Sequence, residues 1–154
     1  MISNATALIC LSRINKLDLL KRLYSVIIIP TAVKEEVLIE GKEGYLSVYK
    51  AIKSGWIKVV NPKRKTKLGL GAGENQAINL AIERKYSIIL DDAFAIKAAK
   101  AFDITILRTT TIIFIAYKNK LITKSQTLKI LNQLIEIGYY ISIKEYTILI
   151  SKLK

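Results

Sequence analysis

Ser87-Ile88-Ile89-Leu90-Asp91-Asp92-Ala93-Phe94-Ala95-Ile96-Lys97-Ala98-Ala99-Lys100 carries the reading of the fold. Ser87 to Leu90 is a short β-branched run, which fits a strand buried on both faces. An acidic pair follows at once, then an Ala-rich segment from Ala93 to Phe102, suited to a closely packed helix. The stretch therefore reads as strand, acidic end, helix. In a parallel sheet, ligands bind beyond the carboxyl ends of the strands. Asp91 and Asp92 are placed where chemistry is done.

The same order repeats outward in both directions. Upstream, Ile2 to Asn4 ends a short strand and Ala5 to Leu11 opens a helix. Leu17, Leu20, Leu23 and Tyr24 recur at helical spacing. Val26 to Ile29 is a strand stopped by Pro30, and Thr31 to Ile39 reads as a helix with Pro30 in its first turn. Tyr45 to Lys53 is helical and ends at Gly55; Trp56 to Val60 is a strand. Lys63 to Gly71 reads as a flexible basic loop leading to a helix over Glu74 to Lys85. Downstream, Ile104 to Leu107 is a strand, and Thr109 to Tyr117 and Lys124 to Ile137 are helices. A last helix has Ser142 as N-cap and Glu145 at the capping-box position. Strands alternating with helices imply one α/β domain over residues 1–154, three-layered, with a mostly parallel sheet.

Composition narrows the chemistry. The chain has 154 residues, one cysteine and no histidine. Histidine-dependent triads, HExxH zinc sites and histidine bases are excluded. Cys10 sits in an apolar stretch and reads as a small core residue. A lone cysteine suits a cytoplasmic protein. Mean hydropathy is +0.30, yet no apolar run reaches the roughly 20 residues that span a bilayer. The opening MISNATALICLSR has no basic leader and reads as structure, not as a signal peptide. With 25 basic and 12 acidic residues, the net charge is +13. Such a field draws phosphate backbones, although a lysine-rich solvated surface accounts for much of it.

Acidic side chains are scarce in this chain, and Glu36, Glu74, Asp91 and Asp92 fall at or near element ends. Carboxylates gathered in a basic protein point to a hard metal ion held against a polyanion. The segment Gly69 to Glu74 fails the dinucleotide fingerprint, and no Walker Lys-Ser/Thr follows it.

Four motifs in order resemble the PIN-domain family. Ile2-Ser3-Asn4-Ala5-Thr6-Ala7-Leu8-Ile9 is similar to its first strand end. Pro30-Thr31-Ala32-Val33-Lys34-Glu35-Glu36 is similar to P-x-x-V-x-x-E, and Gly73-Glu74-Asn75-Gln76-Ala77-Ile78 to G-E-x-E-A-I. Ile88 to Asp92 is similar to the strand-D-D segment. The resemblance implies a Mg²⁺- or Mn²⁺-dependent endoribonuclease, often the toxin of a VapBC-type pair, with RNA and a small antitoxin protein as partners and commonly a homodimer. It implies that Glu36, Asp92 and either Glu74 or Asp91 hold the metal, helped by Asn4. Lys63, Arg64, Lys65, Lys67 and Arg108 are candidates for RNA contact, with solvated surface as the alternative. Two positions depart from the family: Asn4 stands where most members have Asp, and Gln76 where many have an acid. A PIN protein that binds without cutting is the alternative reading. Trp56, Tyr139 and Tyr140 read as core or interface rather than as base-stacking platforms.

Overall fold

The computed structural model describes residues 1–154. Five two- or three-residue strands form one sheet: β1 (Ile2–Ser3), β2 (Ile27–Ile29), β3 (Ile57–Val59), β4 (Ile88–Ile89) and β5 (Ile106–Leu107). Their order is β3-β2-β1-β4-β5, and every pairing is parallel. The register sets isoleucine against isoleucine: Ile2 pairs with Ile28 on one side and with Ile88 on the other. Ile2, Ile27, Ile29, Ile57, Ile88 and Ile89 are almost wholly buried. Each such side chain stabilises the fold by about 1.5–3 kcal/mol. Burial on both faces is why these strands read as continuous apolar runs.

Nine helices flank the sheet and complete a three-layer α/β/α fold: α1 (Ala5–Arg13), α2 (Asp18–Tyr24), α3 (Thr31–Val37), α4 (Tyr45–Lys53), α5 (Ala72–Arg84), α6 (Ala93–Ala99), α7 (Thr109–Lys118), α8 (Lys124–Glu136) and α9 (Ile143–Ser151). None is long and apolar enough to cross a membrane. Most boundaries follow the sequence reading, with informative differences. Pro30 is the N-cap of α3, outside its first turn. Helix α5 begins at Ala72, so Gly73 lies inside it. Ser142 caps α9 by accepting from the Glu145 N–H, but the Glu145 side chain does not close a capping box. It reaches Arg108 and Thr110 instead, because a cationic partner outcompetes a backbone amide.

The terminal helices spend most of their apolar residues on the core. Ile130, Leu131 and Leu134 are buried, and Leu149 and Ile150 pack partly against the core. Ile135, Ile143 and Ile148 remain exposed. Since all strands run one way, the residues that follow them share one edge of the sheet. Asn4 follows the central β1, Leu90-Asp91-Asp92 follow β4, and Arg108 follows β5.

Candidate active site

Asn4 is 1 % exposed. Its backbone N–H donates to the Ile89 carbonyl, which ties β1 to β4. It occupies the N-cap of α1 yet makes no side-chain cap. Neither Oδ1 nor Nδ2 has a hydrogen-bond partner. A buried amide without partners costs free energy unless another donor or ligand meets it.

Glu36 and Glu74 come together at the start of α5. The Glu36 carboxylate lies so close over Gly73 that a β-carbon there would collide with Oε1. Only glycine permits this seat. Glu74 Oε2 likewise lies 2.8 Å from where a β-carbon on Gly71 would stand. Burial raises the Glu36 pKa, Glu74 raises it further, and the Gly73 N–H bond opposes both. Two carboxylates in mutual repulsion are what a cation relieves.

Asp91 and Asp92 diverge, as neighbours leaving a strand do. The Asp91 side chain is 5 % exposed. It accepts from the Thr109 N–H at 2.9 Å and from the Thr109 hydroxyl at 2.6 Å. The Tyr139 hydroxyl also donates to it, and Arg108 Nε stands at 3.9 Å. The same arginine pairs with Glu145. Burial works against the Arg108 charge, but Tyr139, Glu145 and Asp91 outweigh it and raise its pKa. Burial and Asp91 push the Tyr139 hydroxyl far above its ordinary range, so it stays a proton donor. Asp92 is exposed and caps α6, accepting from the Ala95 N–H at 2.8 Å.

A cleft of about 680 Å³ opens above this network, lined by Cys10, Asp91, Asp92, Lys100, Arg108 and Tyr140 among others. Cys10 is therefore a half-buried wall residue beside the core. Burial, with Asp91 adding to it, pushes its thiol up to about 11, against the pull of Arg13. Tyr140 is 77 % exposed, while Tyr139 is buried.

The sequence candidates thus fall into two sets flanking Asn4: Glu36 with Glu74, and Asp91 with Asp92. No three acidic side chains gather closely enough to hold one ion. Arg108 is engaged by two carboxylates, unlike the free phosphate contact considered for it. Gln76 lines a separate polar cleft with Arg64 and Lys65, so Glu74, not position 76, sits with Glu36.

The basic loop is pinned where the sequence suggested flexibility. Glu83 accepts from the N–H groups of Lys63 and Arg64. Asn79 accepts from the Thr66 N–H and donates to its carbonyl. Asn75 accepts from the Leu68 N–H and donates to the Thr66 carbonyl. These three side chains stand four residues apart along one face of α5. That spacing beside a basic loop was the available signal, and reading the segment for phosphate motifs missed it. Tyr139 and Glu145 were also missed as site residues; their contacts span long sequence separations that no local pattern reports.

Donor chemistry bears on what such a site accepts. Carboxylate and amide oxygens suit hard, oxygen-preferring cations, and the one thiol stays protonated at neutral pH. Asn4 Oδ1 is an oxygen without a partner, so the residues present fit a divalent ion of the Mg²⁺ or Mn²⁺ kind. A family model described as DUF3368, a PIN domain, matches residues 1–154. No curated protein and no solved structure matches the chain. PIN domains are generally nucleases that use divalent metal ions. The parallel sheet, the acids at its carboxyl edge and a family match over every residue agree: the chain belongs to the PIN-domain family.

Proposed function

We propose that this protein is a metal-dependent endoribonuclease, the toxin member of a VapBC-type pair acting in the cytoplasm. The observation that carries the reading is the Glu36–Glu74 pair: two carboxylates seated against glycine backbone, one of them with a raised pKa. Glu36 and Glu74 would hold the ion, with Asn4 Oδ1 as a neutral donor. Mg²⁺ often rests on only one or two protein carboxylates plus substrate phosphates, so a site short of three clustered acids suits it. When bound, such an ion neutralises phosphate charge and makes water more acidic.

The chain's own residues do the rest. Gly73, lacking a β-carbon, lets the Glu36 carboxylate pack against its backbone, and such a fixed seat is what positioned catalysis requires. Lys63, Arg64, Lys65 and Lys67, exposed on a pinned loop, hold the RNA backbone. Exposed Ile135, Ile143 and Ile148 provide an apolar surface for a second copy or a small antitoxin.

A binding module that does not cut is the second reading. The neutral Asn4 and the fully engaged Asp91 favour it. The test is cleavage of labelled RNA with Mg²⁺ or Mn²⁺, with EDTA, and in Glu36→Gln. Cleavage that needs metal and disappears in Glu36→Gln supports the nuclease. Activity that survives EDTA or the substitution overturns it. No cleavage by wild type, but cleavage by Asn4→Asp, establishes the binding module.

A further inference from the structure

Two adjacent tyrosines follow α8, and they go separate ways. Tyr139 is 7 % exposed and its hydroxyl donates to Asp91. Tyr140 is 77 % exposed and stands on the wall of the cleft of about 680 Å³. The chain on both sides of Tyr140 is anchored. The Gly138 N–H donates to the Ile135 carbonyl and the Tyr139 N–H to the Leu134 carbonyl. Arg13 holds the Ile137 carbonyl at 3.1 Å, and Ser142 caps α9. An aromatic ring presented from a fixed segment gives contact area at a low entropy cost.

The remaining lining says what that ring can meet. Asp91, Asp92 and Glu145 set three carboxylates against two cations, Lys100 and Arg108. Arg108 and Glu145 pair with each other, and Asp91 is satisfied by Thr109 and Tyr139. A phosphate placed here would meet more negative than positive charge, whereas a neutral planar group would not. Half-buried Cys10, Ile96 and Ile137 add apolar wall to the same cleft.

We propose that Tyr140 is a stacking platform for one unpaired base of single-stranded RNA, seated in this cleft with its phosphates left outside. The proposal rests on RNA being the substrate class of the preceding section. Every base has a π-face, so a tyrosine ring takes any of them. A duplex keeps its bases stacked and paired and offers the ring nothing, so the platform selects single strands. The cleft volume lies in the range of small-ligand pockets. Five charged side chains in the lining make it a poor seat for an apolar protein segment. Asp91 and Asp92 end β4 on the cleft wall, so a base held by Tyr140 brings its own strand to the carboxyl edge of the sheet, where the acids stand.

The test is fluorescence anisotropy, in EDTA so that nothing is cut, with a labelled uridine oligomer, the same ribose-phosphate chain without its bases, and an RNA duplex. Wild type is expected to bind the uridine oligomer about tenfold more tightly than the baseless chain. Tyr140→Ala loses that preference and Tyr140→Phe keeps it. Tyr86→Ala also keeps it, because Tyr86 is exposed just before β4, at the opposite edge of the sheet. The duplex binds wild type and Tyr140→Ala alike. Equal binding of the uridine and baseless chains by wild type overturns the proposal without reference to any variant. So does a preference that survives in Tyr140→Ala, with folding checked by circular dichroism, or one that is lost in Tyr140→Phe and so belongs to the hydroxyl. Unchanged RNA binding by Tyr140→Ala with lost self-association in light scattering marks a protein contact and also overturns stacking. Metal-dependent cleavage without base preference defeats the platform alone; base preference without cleavage defeats the nuclease alone.

Discussion

Gly73→Ala separates the site from the fold. The added methyl would meet Glu36 Oε1, with Cδ at 2.9 Å and Oε2 at 3.1 Å, all inside the usual ~3.5–4.0 Å contact range of carbon. The obstructing atoms are the end of a flexible, mostly exposed side chain. Glu36 therefore swings away while the backbone stays. An off-rotamer glutamate costs about 0.5–1.5 kcal/mol. Alanine in place of glycine within a helix returns about 0.5–1 kcal/mol. The two nearly cancel, and a residual of ~1 kcal/mol moves Tm by only ~2–4 °C in a domain of this size. Function is far less tolerant, because a misplacement of about 1 Å costs on the order of a hundredfold in rate. The assays are thermal unfolding by circular dichroism and cleavage of a labelled single-stranded RNA with Mn²⁺. The expected result is an almost unchanged Tm with cleavage down about a hundredfold. Full cleavage by the folded variant refutes the role given to the Glu36 seat, and a Tm fall of more than ~10 °C refutes the side-chain-only account of the collision.

Three further outcomes are expected. Because the folded-state pKa of Glu36 is raised, the native protein holds that proton more tightly than the unfolded chain. Its contribution is thus fully present below the ordinary carboxylate pKa and is lost as pH rises through the raised one. Tm measured across that interval should fall more steeply in wild type than in Glu36→Gln; parallel profiles contradict the assignment. Tyr139→Phe leaves Asp91 one donor short in a nearly closed environment, and urea unfolding should show a loss of about 1–3 kcal/mol, towards the low end because Thr109 and Arg108 remain. An unchanged midpoint means that the hydroxyl bond adds nothing. Cys10, with its thiol pushed up to about 11, should react slowly with iodoacetamide at neutral pH and progressively faster towards pH 11. Rapid labelling at pH 7 contradicts its burial on the cleft wall.

Strands β2 to β5 were legible because each lies in a short, mostly β-branched run bounded by a turn residue or an acid, and burial on both faces leaves that signature. Ser142 as a cap was legible because capping is local. The destination of Glu145 was not: Arg108 and Thr110 lie in a different helix-strand unit, and a capping-box spacing reads the same whether or not the side chain turns back. Glu36 and Glu74 could be named from motif order, but their meeting depends on Gly73 lying inside α5, one residue past the boundary the sequence suggested. Asp91 and Asp92 look equivalent in sequence. Only the three-dimensional neighbourhood, with Thr109 and Tyr139 on one side and an open cleft on the other, makes them different.

The central position of β1 carries a kinetic consequence. Its two neighbours are β2 and β4, so Ile2 pairs with Ile28 early in the chain and with Ile88 much later. Half of the sheet can form without the other, but the middle strand stays open on one edge until the later half arrives. Parallel pairings of this kind close long loops before they gain contacts, so folding is slower than that of a purely helical domain, despite the nine helices. Asp91 is then locked only when Tyr139 docks onto it. A chain made only as far as β3 holds Glu36 without Glu74, Asp91 or Asp92, and the acids cannot take their places along the sheet edge until β4 has been made and paired with β1.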